Sequence, residues 1–180
     1  MYQNDGSRTN EEVFWEVMTA TYGEQVQEHL PLFEAYYRNE FQEVRKVCGY
    51  NPLAAGTVRR LKETGYRVGL ATNPLFPATA TKSRIRWAGL APEDFEFYTT
   101  YENFRFCKPN LNYFTECANI MDVSPQECLM VGNDVGEDMI AEKIGMRVFL
   151  LKDCMINKTG NDSSRYPNGS FTELMRYIEE

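Results

Sequence analysis

"LMVGNDVGEDM", residues 129–139, decides how the rest of the chain is read. An apolar run ending at Gly132 passes directly into Asn133, Asp134, Glu137 and Asp138, with Gly136 among them. The run reads as the end of a buried strand. Like charges crowded there repel one another and lose solvent, which is costly unless a cation or a base neutralises them. The plain alternative is a solvated helix start, because carboxylates are favoured near helix N-termini. The rest of the chain has to choose between the two.

Outward from this stretch, helix-like and strand-like text alternate. After it, Ile140, Ala141 and Ile144 mark a helix, "RVFLL" (147–151) a strand, "NKTGNDSSRYPNGS" (157–170) a loop, and Phe171 to Ile178 a closing helix. Before it, Ser124-Pro125-Gln126-Glu127 is a capping-box turn into the strand "CLMV" (128–131). Residues 110–121 form a helix with Phe114, Ala118 and Met121 on one side. Further back, Asn51-Pro52 starts a helix carrying Ala54, Val58 and Leu61, and Gly65 ends it. "YRVGLAT" (66–72) and "FEFYT" (95–99) read as strands on either side of a basic helix at 77–88. Strands alternating with helices imply an α/β fold with a doubly wound parallel sheet.

Residues 10–48 differ in being aromatic-rich and strand-poor. Thr9 or Asn10 caps a helix with Val13, Phe14, Val17 and Met18 on one face. A second helix after Pro31 carries Phe33, Tyr36, Tyr37, Phe41 and Val44 at helical spacing. This aromatic stripe reads as core packing rather than as a ligand wall.

Composition bounds the function. The 180 residues suit one domain, or one with a small appendage, and 43% hydrophobic content is enough for a core. A formal net charge of −7 argues against nucleic acid or an anionic membrane as partner. No stretch approaches the roughly 20 apolar residues of a membrane span, and no signal-peptide pattern opens the chain. Cys48, Cys107, Cys117, Cys128 and Cys154 contain no C-x-x-C pair, so reduced, buried thiols and a cytoplasmic location are expected.

In such sheets ligands lie beyond the carboxyl ends of the strands. Three polar clusters fall there: Thr72-Asn73 closes the first strand, Lys108 in "CKPN" (107–110) follows the second, and the acidic knot closes the third. Together they suit phosphoryl transfer. A hydroxyl and an amide donate to non-bridging oxygens, and Lys108 sets fixed positive charge against developing negative charge. Acids at a strand end can hold Mg²⁺, a hard cation that prefers oxygen ligands and would relieve their repulsion.

"VGLATN" (68–73), "CKPN" and "LMVGNDVGEDM" resemble, in order, motifs II, III and IV of the haloacid dehalogenase (HAD) superfamily, mostly Mg²⁺-dependent phosphatases. "SRIRWAGL" (83–90) followed by "PEDFE" (92–96) is similar to the family's helix-to-strand connection, and the resemblance spans about residues 51–151. It implies a three-layer Rossmann-like core over residues 51–180 and a partial helical cap over residues 1–50. It also implies Mg²⁺ as cofactor and a small phosphorylated metabolite as partner. Thr72 and Asn73 would grip the phosphoryl group, and Lys108 would steady it and the nucleophile as a catalytic residue. Asp134 would bind Mg²⁺, with Asp138 as second ligand or as orienter of a metal-bound water. Asn133, directly after Gly132, stands where many relatives carry the first acid, so Asn133 and Asp134 share that slot.

The family's first motif, D-x-D-G-[TS] at the end of a buried strand, brings the nucleophilic Asp and the acid/base. Only "QNDGS" (3–7) approaches it, with Gln3 in the nucleophile's place and two residues ahead where a strand belongs. An amide is a poor nucleophile, and the match is read as coincidence. The sequence is therefore expected to start late, about a βα unit of ~30 residues or more short, with the first and central strand lacking. Two sheet edges would then face an empty slot. Each unpaired buried backbone group costs roughly 1–3 kcal/mol, against a typical margin of about 5–15 kcal/mol. A poorly stable or aggregation-prone chain, or one rescued by pairing, is expected.

The expected function is a HAD-like phosphatase of a small phosphomonoester, inactive as this chain alone. The alternative is a non-catalytic remnant that binds phosphate or Mg²⁺ or pairs with another chain. A dehalogenase of the same superfamily needs no metal and is disfavoured by the acid cluster. A receiver domain would carry its acids before the threonine and lysine. His29 reads as structural or solvated, Cys107 as packing, and Arg84 and Arg86 as surface charge or phosphate contacts.

Overall fold

The structure, a computed structural model, describes residues 1–158 and 160–179. It forms two compact units, Met1–Cys107 and Lys108–Glu180.

In the first unit Thr9, not Asn10, caps α1 (Asn10–Tyr22). Its hydroxyl accepts the Glu12 N–H at 3.2 Å, and the Glu12 carboxylate accepts the Thr9 N–H at 2.7 Å, a complete capping box. Val17, expected on the buried face of α1, is 57% exposed. α2 (Leu30–Arg38) stops where the apolar pattern runs on to Val44: Asn39 leaves helical geometry and a 3₁₀ segment, Glu40–Val47, follows. Asparagine competes with helical backbone bonds, so it is a natural break point. The break turns Phe41 inward, where it stacks on Trp87 with centroids 5.3 Å apart and meets Tyr37 edge-on at 5.4 Å. With Trp15 against Phe33 at 5.4 Å, much of the aromatic stripe packs ring to ring. α2 itself buries no residue and Tyr36 is 46% exposed, so the expected core packing is met fully only at Phe41.

α3 (Pro52–Glu63) begins at Asn51, whose Oδ1 accepts the Leu53 N–H at 3.0 Å. The two stretches expected as strands, 66–72 and 95–99, do run parallel, but they meet in one bridge, Leu70 opposite Tyr98. Three backbone bonds at 2.9, 2.9 and 3.1 Å hold them, from Leu70 to Phe97, Glu96 to Val68 and Thr99 to Leu70. Their places follow from the sequence; strands of full length are not formed. α4 (Ala78–Trp87) lies between them in sequence.

In the second unit α5 (Leu111–Ile120) starts at Asn110, whose Oδ1 accepts the Asn112 N–H at 2.9 Å. It buries Tyr113, Phe114, Cys117 and Ala118. β1 (Leu129–Gly132) and β2 (Arg147–Leu151) pair in parallel, from Leu129 opposite Arg147 to Gly132 opposite Leu150. Parallel neighbours need a long crossover, supplied by residues 133–146. The helix expected there is a 3₁₀ segment, Met139–Ile144, closed by left-handed Gly145 at φ 93°. Its short span buries Met139 and Ala141 completely.

β3 (Asn168–Gly169) pairs with Leu150 and Leu151 inside the stretch expected as loop. Two residues are too few for any hydrophobic period to reveal a strand. The sheet order is β1-β2-β3, so β1 has one strand neighbour among the described residues. α6 (Phe171–Glu179) buries Leu174 and lays Tyr177 against Phe149 at 5.3 Å. No helix of the described residues is long and apolar enough to cross a membrane.

Leu174 is 2% exposed and anchors α6. Leu174→Ala is expected to lower stability by about 2–5 kcal/mol, read from the urea midpoint by circular dichroism.

Candidate functional site

At the carboxyl end of β1 lies a buried ion pair. The Lys108 ammonium donates to Asp138 Oδ1 at 2.5 Å, and the two side chains are 8% and 5% exposed. A buried pair holds only when its remaining polar capacity is met. Here Asp138 Oδ2 accepts the Asp134 N–H at 2.9 Å, while the ammonium sits 5.9 Å from the centroid of the wholly buried Tyr113 ring. Gly132 makes the arrangement possible: a Cβ there would stand 2.2 Å from Asp138 Oδ2. The residue that ends β1 therefore lacks a side chain because a carboxylate occupies its space.

Asp134 is fixed by the turn it closes. Its Oδ1 accepts the N–H groups of Gly136 at 2.8 Å and Glu137 at 3.0 Å, and its carbonyl accepts the Asp138 N–H at 2.9 Å. Such local bonding by aspartate orients both the backbone and the acid. Asn133 is tied elsewhere, its amide donating to Cys154 carbonyl at 2.6 Å and its carbonyl accepting the Ile156 N–H at 2.8 Å.

The donor set can be tested against Mg²⁺. Among the described residues no group of three or more His, Cys, Asp or Glu is placed to hold a metal. Asp138 engages both oxygens, whereas Asp134 has Oδ2 beyond the turn bonds. Mg²⁺ keeps several waters and is commonly held by one or two carboxylates. The set fits a largely hydrated Mg²⁺ on Asp134, not a closed cage.

Thr72 and Asn73 belong to the first unit, just past the Leu70–Tyr98 bridge. The Thr72 carbonyl accepts the Thr99 hydroxyl at 2.5 Å, and the Asn73 amide reaches the Tyr2 hydroxyl at 3.5 Å. The loop then enters α4 after Pro77, which has no capping side chain. Glu102 takes that role, its two carboxylate oxygens accepting the Ala78 N–H at 2.8 and 3.0 Å. Glu102 and Thr99 carry no signal in the sequence because each acts across a long chain separation, and Tyr113, close to Lys108 in the chain, reads there as ordinary helix core. Gly132 was visible in the motif, but its steric reason was not.

The other candidates have plain surroundings. His29, Arg84 and Arg86 are exposed, with the Arg84 guanidinium over Phe76 at 5.8 Å. Cys107 is buried at 3% exposure and Cys117 is buried too, whereas Cys48 and Cys154, expected buried as well, are exposed. Burial pushes the Cys117 thiol up to about 12.

Parallel strands, long crossovers and a charged cluster at the carboxyl end of a strand define an α/β protein of the Rossmann-like kind. The chain belongs to the haloacid dehalogenase-like hydrolase family, which it matches over residues 6–143. It is similar to a glyceraldehyde 3-phosphate phosphatase of Pyrococcus furiosus, 28% identical over 149 residues that make up 81% of this chain and 58% of that protein. The chain spans about half the length of the curated relatives it matches. A crystal structure of a HAD phosphatase from Thermococcus onnurineus superposes with a TM-score of 0.54 at 23% identity, over 68% of this chain and 55% of that one. β-Phosphoglucomutase from Clostridium difficile gives 0.59 at 16% identity, over 97% of this chain and 76% of that one. Likeness at these identities establishes the shared fold.

Two outcomes follow from the site's geometry. Asp138→Ala leaves a buried ammonium without its counter-charge and is expected to cost about 3–5 kcal/mol in urea unfolding. Thiolate is the reactive form of cysteine, so at about pH 8 iodoacetamide should modify the exposed Cys48 and Cys154 while sparing Cys117 until the chain unfolds. Mass spectrometry reads this directly.

Proposed function

We propose that this chain carries the phosphate- and Mg²⁺-binding part of a HAD-type phosphatase acting on a small phosphomonoester. The observation that carries the reading is the buried Lys108–Asp138 pair, braced by the Asp134 N–H at the end of β1. Lys108 is the catalytic cation, held by Asp138 so that its charge faces developing negative charge without free motion. Thr72 and Asn73 grip the non-bridging oxygens. Of Asn133 and Asp134, the latter offers the better metal ligand, because its turn leaves a carboxylate oxygen beyond the backbone bonds. Asp138, already bonded at both oxygens, orients rather than ligates. Mg²⁺, when bound, supplies compensating charge for the phosphate and for the acid cluster.

The relatives named for glyceraldehyde 3-phosphate support a small phosphorylated metabolite as partner. The acidic net charge of −7 supports a reading without nucleic acid or anionic membrane as partner, and the free cysteines support a cytoplasmic location. The division into a partial cap, residues 1–50, and a core, residues 51–180, is retained as part of this proposal.

Residues 1–180 are proposed to bind without turning over, the reading that treats them as a phosphate- or Mg²⁺-binding remnant. One observation favours it. Asp5, the acid in the stretch nearest to D-x-D-G, is exposed in a tight turn, its Oδ1 accepting both the Ser7 N–H at 2.9 Å and the Ser7 hydroxyl at 2.6 Å. Those bonds commit its carboxylate to the turn and hold its pKa below the usual range. Gly6 at φ 87° continues that turn against the Phe106 ring.

The purified chain should release no phosphate from glyceraldehyde 3-phosphate or p-nitrophenyl phosphate above background. A fusion that adds an N-terminal apolar strand ending in D-x-D should restore Mg²⁺-dependent release, and Lys108→Ala in that fusion should abolish it. Mg²⁺-dependent turnover by residues 1–180 themselves would refute the non-turnover reading.

A further inference from the structure

Two buried asparagines in the first unit have no part in the site so far. Because Thr9 caps α1, the Asn10 side chain is not needed at the helix end and is wholly buried. Its Oδ1 accepts Asn4 Nδ2 at 3.1 Å, and its Nδ2 donates to the Pro74 carbonyl at 3.4 Å. Asn4, 9% exposed, is itself fixed by donating to the Arg8 carbonyl at 2.9 Å and accepting the Gly6 N–H at 3.1 Å. Burying an amide is unfavourable unless it is bonded, so an apolar residue would be cheaper here if packing were all that mattered.

The place where this bond lands gives it meaning. Thr72, Asn73 and Pro74 are consecutive, and the carbonyl of each is taken. Thr72 carbonyl accepts the hydroxyl of the fully buried Thr99, Asn73 carbonyl accepts the Leu75 N–H at 2.9 Å, and Pro74 carbonyl accepts Asn10. Two of the three donors are buried side chains from distant parts of the sequence. With its carbonyls tied on both sides, the backbone at Asn73 has little freedom to rotate.

We propose that Asn10 and Thr99 are positioning residues that hold the carbonyls bracketing Asn73, and so set the aim of Thr72 and Asn73 at a phosphate group. The inference rests on the reading of these two residues as phosphate ligands and extends it to what orients them. Asn10 also opens α1, so the start of this helix is mechanically tied to the loop.

The test uses residues 1–180 and inorganic phosphate with Mg²⁺, by calorimetry. Asn10→Asp keeps the shape, but its ionised carboxylate cannot donate to Pro74. Its affinity should be ~5–10-fold weaker than wild type at about pH 7.5. A buried carboxyl ionises at raised pH, and once protonated it donates again. The ratio to wild type should therefore return to within ~2-fold at about pH 5.5, whereas Asn10→Ala and Thr99→Val should stay weak at both pH values. Hydrogen exchange of the Leu75 amide should quicken in all three variants, with α5 unchanged.

Wild type that binds while Asn10→Asp binds equally well at about pH 7.5, or shows no pH-dependent recovery beyond that of Asn10→Ala, overturns the positioning role. Unaltered Leu75 exchange in Thr99→Val, the variant that adds no charge, overturns it as well. Wild type with no phosphate affinity instead overturns the phosphate reading on which the inference stands.

Discussion

A single buried ion pair organises the second unit's chemistry. Two charges withdrawn from water are a liability unless each is bonded on several sides, and the Lys108–Asp138 pair meets that demand through contributions from β1, the turn after it and α5. Gly132 yields the space, Asp134 lends its backbone N–H, and Tyr113 forms an aromatic wall. The acidic knot that raised the first question is thus resolved in part without any metal: Asp138 is neutralised by lysine. The remaining acid, Asp134, is aimed by its own turn.

How much of this could be read beforehand depended on the range of the interactions. The ends of α3 and α5 follow from Asn51 and Asn110, each bonding a backbone N–H two residues on, and such local chemistry is written in the sequence. β1 and β2 stood out as apolar runs of strand length, and β2 was matched residue for residue. Fold elements failed where tertiary packing overrode periodicity. Phe41 prefers the face of Trp87 to a place on a longer α2, and the helix expected around Ile140, Ala141 and Ile144 is a 3₁₀ segment with Met139 and Ala141 buried. Lys108, Asp134 and Asp138 were nominated by their order along the chain, and the structure brings those three together in one unit. Asn133 was nominated with them but serves the backbone at Cys154 and Ile156.

Both units use one design in different materials. In each, parallel pairing ends in a loop whose backbone is tied by side chains rather than left to solvent. Thr99 and Asn10 do this after Leu70, and Asp134 and Asp138 do it after Gly132. Side chains anchored in a core hold a loop more rigidly than water does, because their own rotamers are locked by packing. Rigidity of this kind lets short loops present polar groups in fixed directions.

The carboxylate of Glu102 at the start of α4 has a consequence of its own. An open helix beginning attracts negative ions through its bare amides and axial field. Here that socket already houses an internal anion, which repels any visitor of the same sign. An anion approaching the start of α4 therefore meets a carboxylate instead of bare amides, so discrimination there passes from a diffuse field to a few directional contacts.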